Sequence, residues 1–400
     1  MAAVAAWFGL AREAHAHGPP LAVHDVLTWE AGAPGVVRLL RGAAVVEGDG
    51  LRFVCPTRWG GLDAPLMLGG GEAALVFAES GFAWLGRDGQ VAGAEALAAL
   101  TPSQVRAVAA DGGQVVAVVG EGQGGALWRL APGAPERLWG ASVAPDAVAI
   151  GGASSWLVAT EDGGRVVVSE VSRDVDGATR EVVWVEAAYR ATPALVWLGL
   201  GGLWLRGAET GGFRLDRVVP GPDGDGRLVN VARTSDPIFG PVAVTTERGS
   251  EVFVVIGGAL RRVAGDELGE AVGEGVVQPR LFCLRGGASQ GDLFACDATD
   301  LLRVDAATGA LTPFLGLAQL LPPSLDGLDD TTRFACNLEW QDAARDAGLA
   351  AATAGPDAVT APVGGAGGGC GTSAGVGAPA VLGLLGFLGR RRGRPGGRPT

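Results

Sequence analysis

Four hundred residues exceed one ordinary core of about 100–200 and fall short of three domains. Glycine (68) and proline (23) make up roughly a quarter of the chain, yet 48% of residues are apolar. That combination excludes disorder, collagen (there is no Gly-X-Y period) and an all-helical fold, where each interior glycine costs about 1 kcal/mol.

The net charge is −12, and all 31 basic residues are arginine. Without Arg12, Glu13 and the five arginines of the last eleven residues, 25 arginines face 42 acids, a body charge of −17. Such a body repels phosphate backbones, so nucleic acid is not an expected partner.

In chain order, the first element is a signal-peptide-like segment, 1–16. Ala2–Leu10 is a short apolar run and Ala14-His15-Ala16 is an A-x-A cleavage site. Its basic n-region is missing, so either the true start lies upstream, which is the expectation, or export is not by this route.

A repeat then fills 21–345. Each copy is a short β-rich run, a glycine-containing turn and a second run. The first runs are Val36–Leu40, Ala74–Ala78, Val115–Val119, Ser155–Ala159, Leu203–Arg206, Val252–Ile256 and Leu293–Cys296. Their starts fall 38 to 49 residues apart. One strand pair cannot bury its own face, and a spacing of about 40–50 residues suits a four-stranded propeller blade. Seven copies predict an all-β, seven-bladed β-propeller, with six or eight blades as alternatives. Pro102–Ala109 and Arg180–Val185 are expected to be outer strands.

Acidic, glycyl turns follow the second runs, as in Glu47-Gly48-Asp49-Gly50, Gly86-Arg87-Asp88-Gly89 and Asp174-Val175-Asp176-Gly177. Asp-Gly suits tight hairpins because glycine takes φ > 0 freely. Asp174/Asp176 and Asp223/Asp225 fall short of the six or more oxygens of a calcium loop, so no metal or cofactor is expected.

Chemistry-bearing residues are sparse. Histidine occurs only at 15, 17 and 24, with no matching nucleophile motif. Tyr189, beside Arg190, is the single tyrosine and is expected to be structural at a strand end. Trp84, Trp128, Trp156 and Trp204 fall inside the repeats and should pack between blades. Trp59, with Arg58 beside it, lies outside that register and is the candidate exposed ligand contact.

The end of the chain has its own order of parts. Residues 346–377 form a Gly/Ala-rich linker holding Cys370, 378–389 a short apolar segment expected to be helical, and 390–400 an arginine-rich tail with Arg390, Arg391 and Arg392. Basic residues after an apolar segment fit a cytoplasmic side. This arrangement resembles the MYXO-CTERM sorting signal of myxobacterial surface proteins. The resemblance implies export, a processing protease acting on the tail, membrane attachment through the C-terminus, and Cys370 as the signal cysteine.

A second resemblance spans the body. Ala16-His17-Gly18, Asp49–Cys55 and Cys336-Asn337-Leu338-Glu339-Trp340 look like exported myxobacterial propellers related in repeat style to sortilin-type and Asp-box propellers. It implies fold and location, not chemistry.

Four cysteines remain once Cys370 is set aside. An even number in an exported protein suggests disulfides. Cys283 and Cys296 sit on two β-like runs split by a glycine-rich turn, close enough to bridge. Cys55 and Cys336 are the remaining pair, either bridged or as isolated thiols. The expected protein is a monomeric, surface-exposed, non-catalytic propeller that binds or scaffolds a protein or glycan. A glycosidase- or lyase-like enzyme and a structural envelope component are the alternatives.

Overall fold

A computed structural model describes residues 21–349, leaving out 29–33, 61–65, 71–72, 79–80, 95–96, 99, 112–113, 123, 132–134, 200–201, 221–225, 247–248, 273–279 and 287–291. Its strands form seven antiparallel sheets, one per blade. Blade 1 holds β1 (Val23–Thr28), β2 (Pro34–Leu39), β3 (Ala43–Glu47) and β4 (Gly50–Val54). Blade 2 holds β5 (Leu66–Gly70), β6 (Ala73–Ala78), β7 (Gly81–Gly86) and β8 (Val91–Gly93). Blade 3 holds β9 (Val105–Asp111), β10 (Gln114–Glu121), β11 (Gly124–Leu130) and β12 (Glu136–Ala141). Blade 4 holds β13 (Ala147–Gly152), β14 (Ser155–Asp162), β15 (Arg165–Arg173) and β16 (Thr179–Ala188). Blade 5 holds β17 (Thr192–Trp197), β18 (Leu203–Glu209), β19 (Gly212–Val219) and β20 (Arg227–Thr234). Blade 6 holds β21 (Ile238–Thr246), β22 (Gly249–Ile256), β23 (Ala259–Ala264) and β24 (Glu267–Ala271). Blade 7 holds β25 (Cys283–Gly286), β26 (Asp292–Cys296), β27 (Asp300–Asp305) and β28 (Leu311–Gly316).

The chain is therefore a seven-bladed β-propeller. The first strands of neighbouring blades pack on one another (β1 on β5 and β25, β5 on β9, β9 on β13, β13 on β17, β21 on β25), so they ring the axis. The sequence repeat coincides with the second and third strands of every blade. These have sheet neighbours on both edges and blade neighbours on both faces, so they are the most apolar. Val115–Val119 in β10 is buried throughout.

One expected placement changes. Pro102–Gln104 is a 3-10 turn leading into β9, which is the axial strand of blade 3 and not an outer one. Arg180–Val185 does lie in an outer strand, β16. Axial and peripheral strands are equally weak in sequence because each borders solvent on one side.

Seven apolar cores hold the ring, each shared by two adjacent blades. Leu27, Val36 and Val45 of blade 1 pack with Met67, Val76 and Leu85 of blade 2. Trp84 lies between blades 2 and 3, Trp156 between blades 3 and 4 and Trp204 between blades 5 and 6. Trp128 packs as a partly buried ring beside the core of blades 2 and 3. The acidic turns are third-to-fourth-strand hairpins. Gly89 takes φ +74°, open to glycine without strain, and the Asp176 carboxylate accepts the Ala178 N–H within its own turn at 3.3 Å.

The ring is closed by a strand and a helix after blade 7. The strand β29 (Leu320–Leu321) pairs parallel with β4. The helix α1 (Asp330–Asp346) is an element that the β-dominated pattern does not announce. Asp329 caps it, accepting from Thr331 N and Thr332 N at 3.0 Å. Its buried face is Cys336, Trp340, Ala343 and Ala344, spaced i, i+4, i+7, i+8. Trp340 meets Phe53 of β4 with ring centroids 6.0 Å apart. Asp346 pairs with Arg41 and accepts the Leu21 N–H at 3.1 Å. The segments 1–16 and 351–400, with the expected signal peptide and apolar helix, lie outside the described residues.

Candidate functional site

Both disulfides are present. Cys283 and Cys296 are direct partners in the β25–β26 register, with Cα atoms 5.0 Å apart. Cys55 and Cys336, 281 residues apart in sequence, are 5.4 Å apart at Cα and tie blade 1 to α1. Beside that bridge Thr57 N donates to Glu339 Oε1 at 3.2 Å.

The proposed contact at Trp59 is corrected. Trp59 is only 4% exposed and fills the core between blades 1 and 2. It ends a 3-10 turn, Pro56–Trp59, that drives its ring inward where α1 packs against the turn. Arg58 donates to Gly89 O at 2.8 Å and Gln90 Oε1 at 2.7 Å, clamping blade 1 onto a turn of blade 2. Cys370, Arg390, Arg391 and Arg392 lie outside the described residues.

Tyr189 is structural. It is 1% exposed, between blades 4 and 5. The Arg214 guanidinium stacks on its ring at 4.7 Å. That guanidinium is forked onto the fully buried Asp216 at 2.7 and 2.6 Å, and Asn230 Nδ2 donates to the same carboxylate at 3.1 Å. Burial pushes the phenol well above its ordinary range, and the Asp216 carboxylate adds to this. A phenol held neutral behind a covered face is no nucleophile.

The charged groups that do converge lie at the axis. On β1, Asp25 pairs with Arg38 of β2 in register, and the register slips between Val23 and Asp25. That bulge leaves His24 as an extra residue, exposed and re-aimed out of the ladder. Asp25 accepts a bidentate pair from Arg285 of β25 (Nε–Oδ1 3.0 Å, Nη2–Oδ2 2.6 Å), joining blades 7 and 1. A second bulge sits on the axial strand of blade 6, between Phe239 and Val242. There Arg206 Nη1 of blade 5 donates to Ile238 O at 3.1 Å and Gly240 O at 3.4 Å. Gly240 in turn approaches Leu284, the neighbour of Arg285: a Cβ there would lie 3.3 Å from Leu284 Cδ2.

The electrostatics follow from this crowding. Burial pushes the Asp25 carboxyl up, but the Arg285 guanidinium, the Val26 N–H and Arg38 outweigh it and hold its pKa below 3.8. Burial, with Arg285 nearby, lowers Arg206; burial also lowers Arg38. Asp25 raises Arg285 against the pull of burial. Burial and then Arg38 hold His24 below 6.5, which keeps its imidazole neutral near pH 7. Arg285 is 50% exposed as a side chain and still desolvated.

The signal for this cluster was present but unreadable: a lone His-Asp pair and three scattered arginines carry no spacing rule. A separate shallow groove of about 530 Å³ lies on the outer edge near β4, with Glu47, Asp88 and Asp326 around Arg52. There Arg52 is already paired with Glu47 and donates to Pro322 O at 3.1 Å.

No family model matches the chain, and no curated protein matches it. Among solved structures it is similar to virginiamycin B lyase from Staphylococcus aureus, with TM-score 0.40, 14% identity and coverage of 73% of this chain and 88% of that one. It is also similar to a prolyl endopeptidase, with TM-score 0.46, 12% identity and coverage of 74% and 48%. A chain of the nidogen/laminin complex gives TM-score 0.39, 13% identity and coverage of 61% and 93%. The blade count rests on the sheet topology itself.

Proposed function

We propose that this protein is an exported β-propeller that acts as a non-catalytic binding module for a protein or glycan at the cell surface. The observation that carries the binding role is the charged cluster at the axis, where side chains from blades 1, 5 and 7 meet beside two bulged strands. Two disulfides support an oxidising compartment, since such bonds persist outside reducing cytosol. The terminal segments, read as a signal peptide and a MYXO-CTERM-type tail with Cys370, Arg390, Arg391 and Arg392, support surface sorting by a processing protease.

A glycan array and a panel of purified envelope proteins, probed with the full chain, test the binding role. Saturable retention on a discrete set of ligands is expected. No retention on either would leave the structural-envelope reading in its place. A second reading, a glycosidase- or lyase-like enzyme, is favoured by one observation: His24 is neutral, exposed and adjacent to Asp25 and Arg38. Product release from retained glycans, abolished by His24→Ala, would transfer the site to that reading.

A further inference from the structure

Two exposed large apolar side chains sit one turn apart on α1: Phe334 is 64% exposed and Leu338 48%. Thr331, Gln341 and Arg345 are exposed as well, so the outward side of the helix reads 331, 334, 338, 341, 345. Steps of three and four residues hold such positions in one stripe, the seam through which helices pack in pairs. The opposite side, with Cys336, Trp340, Ala343 and Ala344, is buried. A surface helix needs one apolar side, turned to the core. α1 carries a second one, turned away from it.

Scattered surface residues are the competing explanation, and single exposed apolar side chains are ordinary. They do not account for the charges that end the stripe. Asp330, before the apolar pair, and Arg345, beyond it, both have exposed side chains. Each has a partner three residues away on its own helix, Arg333 at 3.4 Å from Asp330 and Asp342 at 2.9 Å from Arg345. Exposed pairs of this kind are worth only about 0–1 kcal/mol and exchange partners at little cost. The stripe is thus acidic at one end, apolar in the middle and basic at the other. A parallel second helix would set Asp330 beside Asp330 and Arg345 beside Arg345. An antiparallel one sets Phe334 of each copy beside Leu338 of the other and brings each Asp330 within reach of the other copy's long Arg345. A face that complements itself on reversal is what a two-fold interface requires, since there residue i meets j and j meets i.

We infer that the outward face of α1 is a self-association surface, covered by the α1 of a second copy of this chain in antiparallel packing. The charges choose a second copy because the stripe supplies its own complement. Size sets the strength. The helix has 17 residues, so its face is about 25 Å long and about 10 Å wide. That is ~250 Å² per copy, against about 800 Å² in a standard interface. The pair is therefore weak and reversible, a monomer–dimer equilibrium in place of the monomer expected from the sequence. It makes no use of the axial cluster and is independent of the ligand bound there.

Sedimentation equilibrium of the full chain, from micromolar to millimolar protein, is the first test. A reversible monomer–dimer equilibrium is expected. A chain that stays monomeric throughout overturns the inference and leaves this face to a different protein. Leu338→Asp and Phe334→Ser should each weaken dimerisation by about tenfold, with the melting temperature held because both side chains are exposed. Association unchanged in both variants also overturns it, since another surface then carries the contact. Orientation has its own readout. The chain contains no lysine, so Arg345→Lys introduces a single side-chain amine that carbodiimide can join to a neighbouring carboxylate. Positions 330 and 345 lie about 22 Å apart along one helix, so an amide between them forms only between two copies. Its recovery from the cross-linked dimer by peptide mapping is expected. A cross-linked dimer joined only at other positions, or none where the dimer is populated, refutes the antiparallel pairing.

Discussion

Tyr189 and Gly207 show how one position limits another. A Cβ on Gly207 would lie 2.1 Å from the Tyr189 Oη and 2.7 Å from the Ala191 Cβ. The ring fills the space that the glycine leaves, and its hydroxyl is buried without a hydrogen-bond partner. Removing an unsatisfied buried hydroxyl is close to neutral or stabilising, whereas overfilling a packed site costs about 1–3 kcal/mol. Urea denaturation should therefore show Tyr189→Phe at or above the wild-type midpoint and Gly207→Ala clearly below it. A Tyr189→Phe protein that loses several kcal/mol would show that the phenol has a partner and a role. At this scale the sequence reading succeeded where context is local and failed where it is not. Cys283 and Cys296 are paired by one hairpin, legible from spacing. Trp59 lay outside the strand register and looked exposed, but a 3-10 turn and a distant helix seal it in.

Among the elements, α1 is the one that sequence periodicity hid. Its buried face is only Cys336, Trp340, Ala343 and Ala344, and two alanines and a cysteine leave little amphipathic contrast. Its docking supplies what its own hydropathy does not: the Cys55 bridge, the Phe53 contact and the Arg41–Asp346 pair. Replacing Cys55 and Cys336 together by alanine should lower stability by about 2–5 kcal/mol, the range for loss of a native disulfide closing a long loop. Hydrogen exchange should accelerate most in Asp330–Asp346 and in β4, and least in blade 4. Uniform acceleration across the ring would mean that the bridge does not act through the helix. The axial strands were equally hard to read. β1 and β21 carry bulges, and a bulge shifts side chains between faces without any mark in composition.

For the whole molecule, the two ends divide the question of shape from the question of place. The ring is closed by β29 on β4, by the Val23 N–H to Ala298 O bond of 3.1 Å between blades 1 and 7, and by the core those blades share with α1. None of these contacts uses residues beyond 349. Deleting 366–400 should leave the melting temperature unchanged and move the protein from the cell surface into the medium or periplasm, read by fractionation. Unchanged surface retention would count against the sorting role of the tail.

Glycine and apolar content, the two-run repeat and its spacing determined the class of fold, because every blade must bury the same middle strands whatever its ligand. The blade count followed from the seven copies for the same reason. The first disulfide was also in the sequence, since a hairpin brings near neighbours together. Tertiary structure alone decided the rest. The Cys55–Cys336 bridge and the pairing of Asp25 with Arg285 join residues 281 and 260 positions apart, and Trp59 is sealed by a neighbouring blade and a distant helix. Their proximity is a property of ring closure, and no local pattern encodes it.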